Sequence, residues 1–306
     1  MSQNRMSQGL KFSTDMQFAY GEPDAMAPGV ARLVANNASA LTFKGTNTYL
    51  VGTDALAVID PGPADAAHID AILKAAAGRP ITHILVTHAH RDHVDGLDAL
   101  KAATGATTYG FSRASTGAGN VATETTSEYV NTDYEPDVHV RHGERLAGEG
   151  WELAALHTPG HTADHICFAL EGPGIVFSGD HVMAWNTSVV APPEGRMADY
   201  LRSLEILLER KDTMLLPGHG GPVAEPRRTV KAYLLHRRWR DQAILEAVRQ
   251  GANTVRKLLP VIYRDLDEEV VGAAKLSLRA HLEHLAERGL ITCDDAGNSD
   301  CVAVPL

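Results

Sequence analysis

Thr87-His88-Ala89-His90-Arg91-Asp92-His93 follows directly on the apolar run Ile81-Thr82-His83-Ile84-Leu85-Val86. The length of that run and its flanks predict a buried strand over 81–86. In an extended chain, residues two apart project to the same side, so His88 and His90 can reach one point together. Asp92 and His93 come where the chain must turn into a helix, predicted over 94–104, and can face a second point nearby. Four donor side chains in six residues at the mouth of a buried strand are poor core material, because each would need its own partner if buried. The pattern points to metal binding.

Three further donors sit at strand ends beside glycine or proline. His161 lies in Thr158-Pro159-Gly160-His161-Thr162, after the strand run 151–157. Asp180 lies in Ser178-Gly179-Asp180-His181, after 175–178. His219 lies in Leu216-Pro217-Gly218-His219-Gly220, after 213–216. Strand ends converge at one edge of a sheet, and the glycines let the backbone approach an ion.

Outward from these motifs the chain divides into three parts. Residues 1–28 show no clear period and read as a loose arm. In 29–225, strands and helices occur in two similar rounds. The first has strands over 30–34, 47–51, 56–59 and 81–86, with helices over 65–77 and 94–104. A polar, Gly/Thr/Ser-rich stretch over 111–131 reads as a loop or ragged helix. The second round has strands over 138–141, 151–157, 165–170, 175–178 and 213–216, with a helix over 197–209. Two β-rich halves with outer helices predict an α/β fold, a four-layer αββα sandwich. From 226 to 306 a long helix to about residue 250, helices over 255–262 and 268–288, and a hairpin formed by 289–292 and 301–304 give the outline of a winged helix.

Composition sets the outer bounds. The 306 residues are 44% hydrophobic and 22% charged, which suits a packed soluble protein. No stretch approaches the roughly 18–20 apolar residues of a membrane span, so no membrane partner is expected. The start of the chain lacks an apolar signal core. Three cysteines without metal-knuckle spacing suit a reducing cytoplasm. Net charge is −10, from 28 Lys and Arg against 38 Asp and Glu. Residues 226–291 hold 13 of the former and 8 of the latter, a balance of +5, which leaves −15 on the rest. The asymmetry suggests two bodies, the second tolerant of an anionic partner or simply presenting a solvated basic face.

The run at 87–93, followed by the lone His161, Asp180 and His219, resembles the metallo-β-lactamase superfamily over about residues 29–222. The resemblance implies that His88, His90 and His161 hold a first metal, that Asp92, His93 and His219 hold a second, and that Asp180 bridges them. It implies two Zn²⁺ per chain, with iron or manganese accepted by the same donors. Asp60, in Val58-Ile59-Asp60-Pro61-Gly62, matches a carboxylate behind the metals that would accept an imidazole N–H; a turn former before Pro61 is its plainer reading. Antibiotic-degrading relatives often carry cysteine where this chain has Asp180, and they are usually exported. A narrower resemblance rests on Gly45-Thr46-Asn47-Thr48-Tyr49-Leu50, the segment 159–165 and His236-Arg237-Arg238-Trp239-Arg240. It is to lactamase-like hydrolases with a C-terminal winged helix, among which are RNA-cutting and thioester-cleaving members.

What the resemblance implies chemically is attack by a hydroxide shared between two ions, with Asp92 orienting it or taking its proton. Asp92 and Asp180 are thus the catalytic carboxylates. His181 is a candidate proton donor to the leaving group, or else a buried structural histidine. Asn186 is expected at the mouth or as an ordinary polar loop residue, and His236 and Arg240, one helical turn apart, either reach toward an anionic substrate or form a solvated helix face. The leading expectation is a hydrolase of a thioester, ester or related acyl bond in a small molecule. Lactone or hydroxyacyl-glutathione hydrolysis uses the same donors. A phosphodiesterase acting on single-stranded RNA is the second class, against which stands the acidic metal domain. The third is a ligand-sensing winged-helix regulator, for which the cations Lys275, Arg279 and Arg288 are thin. The C-terminal body would then pack over the cleft or pair two copies.

Overall fold

Short runs of β-branched and apolar residues, cut by Gly, Asn and Asp turns, keep each round of the chain in strands. The computed structural model describes residues 10, 12–112, 128–264, 266–294 and 302–305. The first sheet has seven strands in sequential order: β1 (Asp24–Ala27), β2 (Val30–Val34), β3 (Asn47–Val51), β4 (Leu56–Ile59), β5 (Ile81–Leu85), β6 (Thr107–Gly110) and β7 (Val138–His139). Helix α1 (Ala66–Ala76) connects β4 to β5, and α2 (Arg91–Val94) and α3 (Leu97–Thr104) follow β5. The second sheet contains β8 (Arg145–Gly148), β9 (Trp151–His157), β10 (Ile166–Leu170), β11 (Ile175–Gly179) and β12 (Met214–Pro217), ordered β12-β11-β10-β9-β8. Helix α4 (Met197–Glu209) joins β11 to β12, which pair in parallel.

Period-two alternation sorts the side chains into layers. Tyr49, Val51, Ile59 and Leu85 of the first sheet meet Leu153, Ala155, Phe168 and Phe177 of the second in one core. On the other face of the first sheet, Leu50, Val58 and Ile84 pack against Ile69, Ile72 and Leu100 of α1 and α3. On the other face of the second, Leu156, Ala169, Val176 and Leu215 pack against Tyr200, Leu204 and Leu207 of α4. The four layers are those expected of an αββα sandwich. The predicted loop over 111–131 lies mostly outside the described residues.

The C-terminal part contains α5 (Pro226–Arg249), α6 (Val255–Ile262), α7 (Val271–Glu287) and the strands β13 (Ile291–Asp294) and β14 (Val302–Pro305). Val255, Leu258, Leu278, Leu282, Leu285 and Ile291 make its own small core. The boundary expected at 226 does not hold as a clean cut, because α5 belongs to both bodies. Val230, Tyr233 and Leu234 near its start pack in the second-sheet core. Ile244, Ala247 and Val248 near its end pack in the C-terminal core. Among the described residues no helix is long and apolar enough to cross a membrane.

Two other expectations need correcting. The arm is not loose over its described length. Strand β1 pairs with β2, the Ser13 amide donates to Ala184 O at 2.9 Å, Arg32 Nη2 donates to Gln17 O at 3.3 Å, and Leu10 packs against the second-sheet core. Backbone donors and one apolar anchor tie it down, which the lack of a period could not reveal. Cys167 is a buried free thiol, but Cys293 is disulfide-bonded, a bond the cysteine count did not predict.

Candidate metal centre

The donors arrive at one edge of the sandwich because four strands end there. His88 and His90 extend β5, with α2 starting at Arg91 and carrying Asp92 and His93. His161 lies in the turn between β9 and β10, Asp180 follows β11, and His219 follows β12. The turns are locked across the sandwich. The Ile166 amide donates to Thr87 O at 2.8 Å, and the Gly218 amide donates to Gly179 O at 2.8 Å. Asn47 Nδ2 donates to Pro217 O and Gly220 O at 2.8 and 2.9 Å, fixing the loop that carries His219 to the first sheet.

The seven donors form two groups, His88, His90, His161 and Asp180 in one and Asp92, His93 and His219 in the other. Within and between them, donor atoms stand at short range. His88 Nε2 to His90 Nδ1 is 2.9 Å, and His161 Nε2 to His90 Nδ1 is 3.0 Å. His93 Nε2 to His219 Nε2 is 3.3 Å, and His219 Nε2 to Asp92 Oδ2 is also 3.3 Å. Asp180 reaches both sets, at 3.5 Å from His93, 3.4 Å from His219 and 3.7 Å from His161. A tetrahedral ion with bonds near 2.1 Å sets its ligand atoms about 3.4 Å apart, so these spacings suit one.

Tautomers decide whether hydrogen bonds alone can explain such contacts. His161 Nδ1 faces Val189 O at 2.6 Å, and His219 Nδ1 faces Gly45 O at 3.2 Å. A carbonyl only accepts, so both Nδ1 atoms carry the proton. His93 Nδ1 faces Asp60 Oδ2 at 2.8 Å and donates likewise. The Thr87 hydroxyl gives its single proton to Asp60 Oδ2 at 2.8 Å, so at 3.0 Å it must accept from His88 Nδ1. Whenever they are neutral, the rings of His88, His93, His161 and His219 therefore all turn Nε2 lone pairs inward. The lone pairs of His93 and His219 face one another at 3.3 Å and need a cation or an extra proton between them, while His88 and His161 both converge on the single Nδ1 of His90; the donor set fits a metal ion.

Electrostatics divides the two groups. Burial, together with His93, His90 and His161, pushes the His88 imidazole well below the usual histidine range. Burial and His161 bring His90 down to about 3. In the other group burial also opposes charge on His93, but Asp92, Asp180 and Asp60 outweigh it and hold the ring well above that range. His219 is raised in the same way by Asp180 and Asp92. Burial works against the Asp180 carboxylate, yet His219 and His93 hold it well below the usual carboxylate range. The carboxylates thus demand positive charge where His93 and His219 meet, which a divalent cation would supply.

Asp60 lies directly behind these ligands. Its carboxylate accepts from the Thr87 amide at 2.7 Å, the Thr87 hydroxyl and His93 Nδ1. A positive φ of 53° turns it inward, a conformation that asparagine and aspartate tolerate better than most side chains. Gly218 is required by close approach. A Cβ there would stand 2.6 Å from Asp180 Oδ1 and 2.6 Å from His93 Cε1. Gly218→Ala is expected to cost at least about tenfold in metal affinity, since the ligands must shift. A zinc titration alongside a thermal melt checks this, and wild-type affinity in a folded variant would refute it.

The residues expected to touch substrate fare differently. His181 is fully buried, with its ring against Tyr200 and near His165, and burial lowers it to about 3. It is enclosed beneath α4, so the proton-donor reading fails. Arg240 also fails, because its guanidinium donates to Ile262 O at 2.8 Å and lies 4.3 Å over the Tyr263 ring. It fastens α5 to the end of α6. His236 leans on Arg240 at 3.3 Å, and burial brings it down to about 3. Asn186 is exposed, with its Oδ1 accepting from the Thr187 amide at 2.8 Å. Beside it, Trp185 stacks on Phe43 at 5.0 Å between ring centroids, joining a loop from each half of the sandwich.

Other residues at the site had no role assigned from sequence. Thr46 donates from Oγ1 to Asp92 Oδ2 at 2.8 Å, and Asn37 holds Thr46. The Asp180 amide donates to His165 Nε2 at 3.1 Å, and His165 Nδ1 meets Thr158 Oγ1 at 2.9 Å. Thr46 and His165 both lie in the stretches that carry the narrower resemblance, so a signal existed without a geometry to read it.

Comparison with known proteins agrees with this geometry. Residues 41–219 match the model of the metallo-beta-lactamase superfamily, and residues 254–298 match the beta-lactamase associated winged helix domain. The chain is 31% identical over 296 residues to the beta-lactamase-like protein 2 homolog of Drosophila melanogaster, covering 90% of this chain and 96% of that one. It is 30% identical over 283 residues to the lactamase-like protein adaB of Aspergillus niger, covering 87% and 83%. Among solved structures, a metallo-beta-lactamase family protein from Thermus thermophilus superposes with a TM-score of 0.72 at 26% identity, over 92% of this chain and 100% of that one. A beta-lactamase domain protein from Burkholderia ambifaria shares the fold with a TM-score of 0.76 at 22% identity, over 98% of each chain. The chain belongs to the metallo-beta-lactamase superfamily of metal-dependent hydrolases, in the form that carries a C-terminal winged helix.

Proposed function

We propose that this chain is a dinuclear zinc hydrolase acting on a thioester, ester or related acyl bond of a small molecule. The observation that carries the metal count is the convergence of four inward Nε2 atoms with Asp92 and Asp180 in two adjoining groups. Nitrogen and carboxylate donors with tetrahedral spacing favour zinc. Two bound ions would supply a water acidified to about neutral pH and a Lewis acid for the acyl oxygen. The chain's own residues do the rest. Asp60 and Thr87 fix the tautomers of His93 and His88, and His165 holds the backbone of Asp180. Asp92 is the carboxylate placed to take a proton from the attacking water.

Two features favour the acyl reading over a phosphodiester. The Phe43–Trp185 pair gives an aromatic wall beside the loop of His219, with Trp185 packed against Gly220. The part of the chain outside 226–291 carries −15, which opposes an extended phosphate backbone. A thioester also suits a site whose predicted proton donor, His181, is enclosed. A thiolate leaves at a pKa of about 8.5 without a donor, whereas an alkoxide needs one. The test is parallel turnover of acyl-CoA and acyl-glutathione thioesters, a lactone, bis-p-nitrophenyl phosphate and a fluorescent single-stranded RNA. Thioester cleavage that disappears with chelator is expected. RNA cleavage that is lost in His93→Ala, with no acyl turnover, would overturn the proposal.

A further inference from the structure

Thr46 is fully buried and directly precedes β3, 46 residues before the carboxylate it touches. Its hydroxyl has one proton to give and two neighbours to satisfy. Asn37 Nδ2 stands 2.9 Å from Thr46 Oγ1 and can only donate. The Asn37 amide cannot be flipped, because its Oδ1 accepts the Thr46 backbone N–H at 2.9 Å. The Thr46 proton must therefore go to Asp92 Oδ2, at 2.8 Å. That same oxygen lies 3.3 Å from His219 Nε2 and 3.4 Å from His93 Nε2. The direction of the chain Asn37 to Thr46 to Asp92 is fixed by donor chemistry alone.

We infer that Thr46 and Asn37 are positioning residues for the second metal group, and that they select which oxygen of Asp92 enters it. The inference rests on the two-metal reading above. A carboxylate can turn about its Cβ–Cγ bond and exchange its oxygens. A donor locked onto Oδ2 prevents this, so Oδ2 stays with His93 and His219 while Oδ1 is left without that bond. The backbone of Thr46 serves the same end, through its bridge to His219. One residue thereby registers two members of the Asp92–His93–His219 group, while the group of His88, His90 and His161 is held by Thr87 and Val189 instead.

The test is competitive zinc titration against a chromogenic chelator, resolving a first and a second ion. Thr46→Val keeps the shape and the strand preference but removes the proton. It is expected to weaken the second ion about 10- to 100-fold and leave the first within about threefold, as supporting partners of ligands generally do. Thr46→Ser restores the hydroxyl and should recover most of the second affinity. Asn37→Asp replaces the donor with an acceptor, which draws the Thr46 proton away from Asp92. It should therefore weaken the second ion although Thr46 is intact. Unchanged second-site affinity in Thr46→Val overturns the inference, as does an equal loss at both sites. A wild-type protein that binds no zinc overturns the two-metal reading itself, and this inference with it.

Discussion

Asp180→Ala should lower acyl turnover by at least about a thousandfold and leave no more than one tightly held metal ion. The carboxylate reaches into both groups, at 3.7 Å from His161 on one side and 3.4 Å from His219 on the other. Removing it strands two histidines that Asp180 helps to raise, His93 well above its usual range and His219 upward in the same direction. A pair of ions contributes several kcal/mol to stabilising the charge that develops on hydrolysis, and each 1.4 kcal/mol is a factor of ten in rate. Metal analysis and single-turnover kinetics on the purified variant check both parts. Retention of two ions with near wild-type turnover would show that the bridge has been assigned to the wrong residue.

The second large effect is expected at a residue outside the proposed ligand set. Asp60→Asn preserves shape but replaces one acceptor oxygen by an amide N–H₂. If its oxygen keeps the Thr87 amide, the new donor faces the Thr87 hydroxyl and His93 Nδ1, which now both donate to Asp60. Donors facing donors in a buried site cost about 1–3 kcal/mol each. His93 can escape only by moving its proton to Nε2, which fills the lone pair that faces His219 and Asp180. We expect stability to fall by about 2 kcal/mol and metal affinity by about 10- to 100-fold. Denaturant melts and zinc titration of one preparation read both quantities. A stable variant that still binds two ions as tightly as wild type would remove Asp60 from its supporting role.

Both predictions concern residues that sequence reading had already singled out, and the reason is local. His88, His90, Asp92 and His93 declare themselves because a short-range pattern, an extended strand running into a helix, fixes their directions. His161, Asp180 and His219 are legible because glycine marks the bend at each strand end. The sandwich follows from two rounds of alternating apolar runs. What escaped was set by contacts between distant segments. Thr46 acts on Asp92, and Asn47 on Pro217 and Gly220, through hydrogen bonds that no local period encodes. His181 and Arg240 were misplaced for the same reason. A histidine beside a proposed ligand reads as reactive until α4 is seen to cover it. An arginine on a helix reads as available until Ile262 and Tyr263 occupy it.

Helix α5 carries a consequence for how this protein can be rebuilt. Its 24 residues span about 36 Å, with apolar side chains near one end in the core of the second sheet and near the other in the C-terminal core. The two bodies are therefore not beads on a string, and neither can be lifted out with its core intact by cutting near residue 226. A chimera that exchanges the C-terminal body must take the junction inside this helix and match Val230, Tyr233 and Leu234 to one parent while matching Ile244, Ala247 and Val248 to the other. Helix α7 adds a second tie, because Ala280 lies in the second-sheet core and Glu287 meets Arg196 at 2.9 Å, so any tilt of the small body is shared with the scaffold along two helices.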